Sequence, residues 1–498
     1  MLRLLLVLLA VAGFAQGRSL TQANADGGDR PGRGPPQLRG TLVTVTEAED
    51  DWALIDDASG KISCPNLDAS GQCTYFVNPT DASVISPAPG PSPTAKTESV
   101  LIMILDYSAC GKAAETTVSA VTQQFFNAPA GSVSYADRFE QCSYSSLKLA
   151  PPGTNPATSS RVVLLKPKPC PNTIRQNTCD FWAMASNADA TAQAAGINPS
   201  AYARKLYALP SSLMSNTPGT GCYGWAARAT ISSNIQWYFT YSYGLNRWAT
   251  VMQEYLHNYG LWHSWQSGVE YEDYSTTMGR GDSCPNVAET SFVKWARPAV
   301  SVFSPTGPVA GVSGLALNQA SLLPGKPLLF NMPATYLTGA GSYIRVTPDW
   351  LGGGYNLNLC MALRVGKYAD AGMGASKYGL SFYSHKINIH AVDAAIDNDQ
   401  VLNGGSTTAD RRISFVTALP PVTRSTALAS PYKLVVVAGS WTRANADGSS
   451  ASDILRLYVC RFADSETECP TLADMEPASW PPSPQPPSPQ PPASPPAP

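Results

Sequence analysis

Gln253-Glu254-Tyr255-Leu256-His257-Asn258-Tyr259-Gly260-Leu261-Trp262-His263 is the stretch on which the reading of the whole chain turns. Asn246 to Tyr259 contains no proline and is predicted to be helical. Gln253 and His257 then lie one turn apart on one face, so both side chains can reach a single metal ion. Glu254 stands beside them, able to lean toward a metal-bound water without being a ligand. Gly260 tolerates the positive φ needed where a helix ends in a sharp turn, and His263 returns as a third ligand. Three protein ligands leave one position open, which catalysis requires. Gln253 to His257 alone would read as an ordinary amphipathic helix; Gly260 and His263, in that order, set it apart.

Downstream runs Glu270-Tyr271-Glu272-Asp273-Tyr274-Ser275-Thr276-Thr277-Met278-Gly279. A methionine beside glycine, soon after a third ligand, matches a turn that packs a thioether beneath a metal. Together the two segments resemble the H-E-x-x-H-x-x-G-x-x-H and Met-turn signature of metzincin metalloproteases, with Gln253 where the first histidine would stand. More narrowly, His257 to Ser264 and Tyr271-x-Asp273-x-Ser275-x-x-Met278-Gly279 resemble gametolysin, the cell-wall lytic protease family of green algae (peptidase family M11). Leu101 to Gly111 and Pro285 to Trp295 share in the resemblance. It extends from about residue 98 to 465 and is most specific between 250 and 295.

The resemblance implies a secreted metalloendopeptidase. Gln253, His257 and His263 would hold Zn2+, Met278 would support the site, and Glu254 would take the water proton and pass it to the leaving amine. The implied partners are extracellular protein substrates, above all hydroxyproline-rich wall glycoproteins. The β-prone run Ile235 to Tyr241 is expected to form the edge strand along which an extended substrate pairs. Gln253 is the departure from the pattern. An amide oxygen is neutral and a weaker ligand than imidazole, so zinc affinity should fall. Cu2+ binds most N/O sites more tightly than Zn2+ and is the alternative metal. If metal is lost altogether, the chain is a non-catalytic pseudoprotease acting as a matrix-binding or structural wall protein.

The chain has four histidines, so few substitutes for the missing ligand exist. His385 and His390 flank one predicted strand, five residues apart and on opposite faces, and read as packed or surface residues. Glu270, Glu272 and Asp273 hint at a carboxylate pair for glycoside hydrolysis, but three acids in four residues usually form a solvated turn. Arg280-Gly281-Asp282-Ser283 resembles an integrin-binding motif and reads as a loop after the Met-turn. Cys64 or Cys73 could plug the metal as a thiolate, although a disulfide between them is the better reading.

Composition sets the frame. Only 14% of residues are charged, against roughly 25% in an average soluble protein. A formal net charge of −2 gives no electrostatic reason to expect nucleic acid or an anionic membrane as partner. Met1-Leu2-Arg3, the apolar run Leu4 to Val11 and Ala15-Gln16-Gly17 form a secretory signal, and no later segment is long and apolar enough to span a bilayer. Eleven cysteines suit an oxidising destination. Cys64 and Cys73, Cys170 and Cys179, and Cys460 and Cys469 share one spacing and are expected to form three local disulfides, although spacing alone cannot fix connectivity. The odd count leaves at least one thiol over.

The expected organisation has five parts: a signal peptide over 1–17; a β-rich, propeptide-like region with a Pro-rich linker over 18–97; a metzincin-like catalytic domain of α/β or α+β class over 98–298; a β-sandwich domain over 299–470; and a Pro/Ser-rich tail over 471–498. Strands alternating with helices suggest the class of the third part, and short strands between Gly, Pro and Asn suggest the fourth. The tail cannot bury a core and is expected to be disordered or extended in polyproline II form. By resemblance to algal matrix glycoproteins, its prolines would be hydroxylated and glycosylated.

Overall fold

The computed structural model describes residues 95–476 apart from 216–219, 305–306, 376, 399–408 and 443–452, with the backbone of six short strands between residues 37 and 86. The expected signal peptide, the expected tail beyond residue 476 and the pairing of Cys64 with Cys73 lie outside the described residues; the first residues of that tail form a short helix, Leu472–Met475, with Met475 buried in an apolar cluster, so they do join a core. Within them the fold is mixed and sheet-rich, with several open sheets, few helices and no closed barrel. No described helix is long and apolar enough to cross a membrane.

The first large sheet is set by β1 (Val100–Leu105), whose residues are all buried. Val100, Ile102 and Ile104 belong to one apolar cluster, and Leu101, Met103 and Leu105 to another. A strand apolar on both faces must lie inside a sheet covered on both sides. β1 does so: β2 (Arg161–Leu165) and β3 (Arg204–Leu209) flank it in parallel, β5 (Ile235–Phe239) follows β3 in parallel, and β4 (Ala227–Ala229) closes the edge antiparallel to β5. The first cluster is completed by α1 (Val118–Phe125), α2 (Tyr135–Cys142) and α4 (Trp248–Asn258), the second by α3 (Phe181–Ala194). Local chemistry starts these helices where they begin. Asp180 caps α3 by accepting from Ala183 N at 2.9 Å, and Ser134 with Asp137 forms a capping box on α2.

This order corrects one expectation. The run before α4 is a strand but not the edge strand. Trp237, Tyr238 and Phe239 are buried on alternating faces, so β5 belongs inside the sheet, and the short, half-exposed β4 takes the edge.

Two further sheets share one apolar core, which includes Phe330, Ile344, Met361, Ile389, Val436 and Leu457. One has six strands, among them Leu328–Pro333, Leu434–Thr442 and Ile454–Arg461. The other has seven, in the order Val269–Glu270, Trp265–Gln266, Ser414–Leu419, Lys386–Asp393, Leu357–Arg364, Ala340–Val346, Arg297–Pro298. The seven-stranded sheet therefore draws strands from both sides of residue 298.

The cysteines pair as Cys110–Cys170, Cys142–Cys284, Cys179–Cys222 and Cys460–Cys469, with Cys360 buried and unpaired. The local Cys460–Cys469 bridge agrees with the expectation; a Cys170–Cys179 bridge does not form. Those two cysteines flank the short helix Asn172–Arg175 and each meets a partner remote in sequence, Cys110 or Cys222, a proximity that spacing does not encode.

Candidate metal centre

The C-terminal half of α4 is buried on all sides, Gln253, Glu254, His257 and Asn258 included. Buried polar groups on a helix need partners or a function. Asn258 has partners: its amide donates to the Thr230 carbonyl at 2.8 Å and accepts from Gln236 at 2.7 Å. Beneath the helix, Tyr255 and Tyr259 donate to Glu98, which also binds Arg204, so the helix face turned toward β1 is fixed by a buried ion pair.

The end of α4 is a Schellman turn. Gly260 N donates to His257 O at 2.9 Å and Leu261 N to Leu256 O at 3.1 Å, with Gly260 at φ +94°. The positive φ expected at Gly260 is present. The turn brings the Leu261 carbonyl back against His257, whose Nδ1 lies 2.7 Å from it. A carbonyl only accepts, so Nδ1 carries the proton and the Nε2 lone pair is left open. His263 follows the same logic with a different partner: its Nδ1 lies 2.7 Å from Oε1 of Glu270. The two imidazoles stand 4.7 Å apart between centroids, nearly perpendicular. Burial drives His257 down to about 3, helped by the neighbouring His263 and opposed by the Leu261 carbonyl. Burial also lowers His263, against the pull of Glu270 and Asp410. Both rings are therefore neutral near neutral pH, the form that ligates metal.

Glu254 is 5% exposed, and its Oε2 has no hydrogen-bond partner. Burial pushes its carboxyl up to about 8, with the charge of Arg228 on β4 pulling the other way. Gln253 is buried one helical turn from His257 on the same face. Among the described residues no three His, Cys, Asp or Glu side chains gather round one point. The side-chain amide of Gln253 is a donor of another kind, neutral and weaker than imidazole. Two open Nε2 atoms and a buried amide are donor types that a divalent ion accepts, and the orphaned Glu254 oxygen is a base without a partner.

The turn at Met278-Gly279, expected to be a Met-turn, lies against α4 and the segment that follows it. The Met278 carbonyl accepts from Ser264 N at 2.9 Å, and the fully buried Met278 shares its apolar cluster with Met252, Leu256 and Leu261. Asp273 holds the turn shut, accepting from Ser264 Oγ (2.7 Å), Ser275 N (2.9 Å) and Ser275 Oγ (2.6 Å), with His390 Nε2 at 3.2 Å. Burial raises the Asp273 carboxyl, but His390 and the two hydroxyls outweigh it and hold it below its usual value. Thr277 donates to the Ala249 carbonyl of α4 and Thr276 to Glu289, which completes the capping box of Asn286 on α5 (Val287–Phe292).

One sequence reading changes here. The acidic run is no solvated turn. Asp273 is fully buried, Glu272 is nearly so and meets Lys377 and Tyr378, and the half-exposed Glu270 holds His263. Composition suggested solvent; the hairpin that sorts the three acids was missed, although Ser267-Gly268 signals its turn. Also missed was Tyr271, whose ring lies 3.8 Å from that of His263. Other readings stand. His390 is a packed residue, His385 packs on Trp441, and Asp282 belongs to a loop after the Met-turn, paired with Arg247 at 2.6 Å.

Residues 99–429, more than half of the chain, match the model of a family described as Gametolysin peptidase M11. A stretch of 104 residues is 31% identical to Autolysin of Chlamydomonas reinhardtii. It covers 19% of this chain and 15% of that protein, so the likeness spans a small part of the relative's length. No solved structure matches.

Proposed function

Because the chain belongs to the gametolysin family, peptidase M11, we propose that it is a metal-dependent endopeptidase of metzincin type, secreted to an extracellular matrix or cell wall. The observation that carries this reading is the pair of neutral imidazoles with open Nε2 atoms beside the unpartnered Oε2 of Glu254. Gln253, His257 and His263 would hold Zn2+, or Cu2+ given the amide at 253, with Met278 packed behind them. A metal held by these residues would supply Lewis-acid polarisation of the scissile carbonyl and a water of lowered pKa. Glu254 takes the proton of the attacking water and hands it to the leaving amine nitrogen. Its buried site gives it a high proton affinity, and a neighbouring cation favours the ionised form it needs at the outset. β4, paired on one side only, offers its outer backbone to an extended substrate.

On this reading 98–298 is the catalytic part, 299–470 a β-sandwich, 18–97 a propeptide-like region, 1–17 a signal peptide and 471–498 a Pro-rich tail. The four disulfides among the described residues support an oxidising compartment. The likeness to a protein named Autolysin is in keeping with a wall setting, and the substrates proposed on the family resemblance are extracellular wall proteins, hydroxyproline-rich glycoproteins among them. One observation favours a second reading, a non-catalytic matrix-binding protein: the weak amide donor at 253.

Digestion of wall glycoprotein by the purified full chain separates the two. Peptide release should stop with a chelator and return with Zn2+ or Cu2+. Glu254→Gln should lower kcat by about 10²–10⁴-fold with circular dichroism unchanged. Full activity in that variant would sink the mechanism, and a metal-loaded chain that releases no peptide favours the second reading.

A further inference from the structure

The two histidines are held by different means. His257 is fixed by its own helix end, through the Leu261 carbonyl of the Schellman turn. His263 lies beyond the helix and is held from outside. The outside element is a hairpin, β6 (Trp265–Gln266) and β7 (Val269–Glu270), closed by Ser267 at φ +53° and Gly268 at φ +76°. Two successive residues at positive φ make the I′ turn that fits the twist of a two-residue hairpin. β6 runs parallel to Ser414–Leu419, Trp265 N donates to Ile413 O at 2.9 Å, and the Arg412 guanidinium lies over the Trp265 ring. At the other end Tyr271 N donates back to Ser264 O at 3.0 Å.

This anchored hairpin delivers two side chains to one imidazole. Glu270 meets the Nδ1 edge of His263 at 2.7 Å, and the Tyr271 ring covers its face at 3.8 Å with a 34° tilt. To place that ring, Tyr271 adopts φ +65°, a conformation a residue with a side chain keeps only where its surroundings impose it.

We propose that Glu270 and Tyr271 are positioning residues that grip His263 by edge and face, and that metal retention in this chain depends on them because Gln253 supplies only an amide. The proposal rests on the reading of Gln253, His257 and His263 as the ligand set. With two imidazoles and one weak donor, freedom lost by His263 before binding need not be lost during it. Partners of ligating histidines change metal affinity by about 10–100-fold, and a site with a weak third ligand has little reserve against that loss.

The test uses the full chain, stripped of metal, with zinc and then copper(II) titrated against a competing chelator. Glu270→Ala and Tyr271→Leu should each weaken binding by about 10–100-fold while the melting temperature of the metal-free protein stays unchanged. Tyr271→Phe, which keeps the ring, should bind as the unaltered chain does. Unweakened binding in both Glu270→Ala and Tyr271→Leu overturns the proposal and leaves the ligand set standing. A fall in metal-free melting temperature that accounts for the weaker binding makes the role structural and also overturns it, as does a Phe variant as weak as the Leu variant. If the unaltered chain holds neither metal, the ligand set fails and the grip falls with it.

Discussion

Glu98 shows how a single side chain can fix the helix that carries the candidate site. It is 1% exposed and accepts from Arg204 at 2.8 and 3.2 Å, from Tyr255 at 2.7 Å and from Tyr259 at 3.0 Å. Burial pushes its carboxyl up, yet Arg204, Lys96 and Tyr255 together overcome this and hold it at about 2 rather than 4.5. A depressed folded pKa contributes stability that is present above the unfolded value and lost as pH falls through the folded one. Denaturant titrations should therefore show a loss of about 3 kcal/mol between pH 5 and pH 2, and Glu98→Gln should flatten that slope. Breaking the pair from the other side, by Arg204→Met, strands a buried carboxylate and should cost about 3–5 kcal/mol at neutral pH. An unchanged midpoint in urea would show that α4 does not rest on this pair.

At the scale of the element, the Met-turn admits little change. A Cβ on Gly279 would lie 1.8 Å from the Asp273 carbonyl oxygen, and backbone cannot step aside as a flexible side chain can. Gly279→Ala should open the turn at a cost of at least about 1–3 kcal/mol, read as a lower thermal midpoint together with weaker metal binding. Several elements were legible in the sequence for reasons that are local. β1 is apolar at every position, α3 begins at a capping Asp, and α4 stops where Gly260 allows a left-handed turn. The histidines at 257 and 263 were legible because one turn fixes their relation. What local pattern could not supply was placement. β5 reads as a strand whether it lies inside a sheet or at its edge, and only the short β4 outside it decides. Glu270 reads as a surface acid until Ser267 and Gly268 fold it back onto His263.

Across the whole molecule the disulfides tie together what the sheets leave apart. Cys142, at the end of α2, joins Cys284, just before α5, across a separation of 142 residues. Chain order places the two Met-turn anchors, α4 and Glu289, inside the loop so closed or beside it. Cys142→Ser with Cys284→Ser should lower stability by about 2–5 kcal/mol, and an unchanged melting temperature would show the bridge to be dispensable. The spacing rule failed for Cys170 and Cys179 for the same reason that this bridge escaped notice: both partners are chosen by the assembled fold.

The seven-stranded sheet carries a consequence for how such a chain can be divided. Its outermost hairpin touches His263, while the strand that backs the hairpin, Ser414–Leu419, comes from far downstream. A fragment ending near residue 298 would keep both imidazoles yet lose the Ile413 carbonyl and the strand behind Trp265. The chemistry proposed for the first half would thus depend on a strand of the second, and a segment cut at 298 would not be a portable module that recombination could graft elsewhere intact.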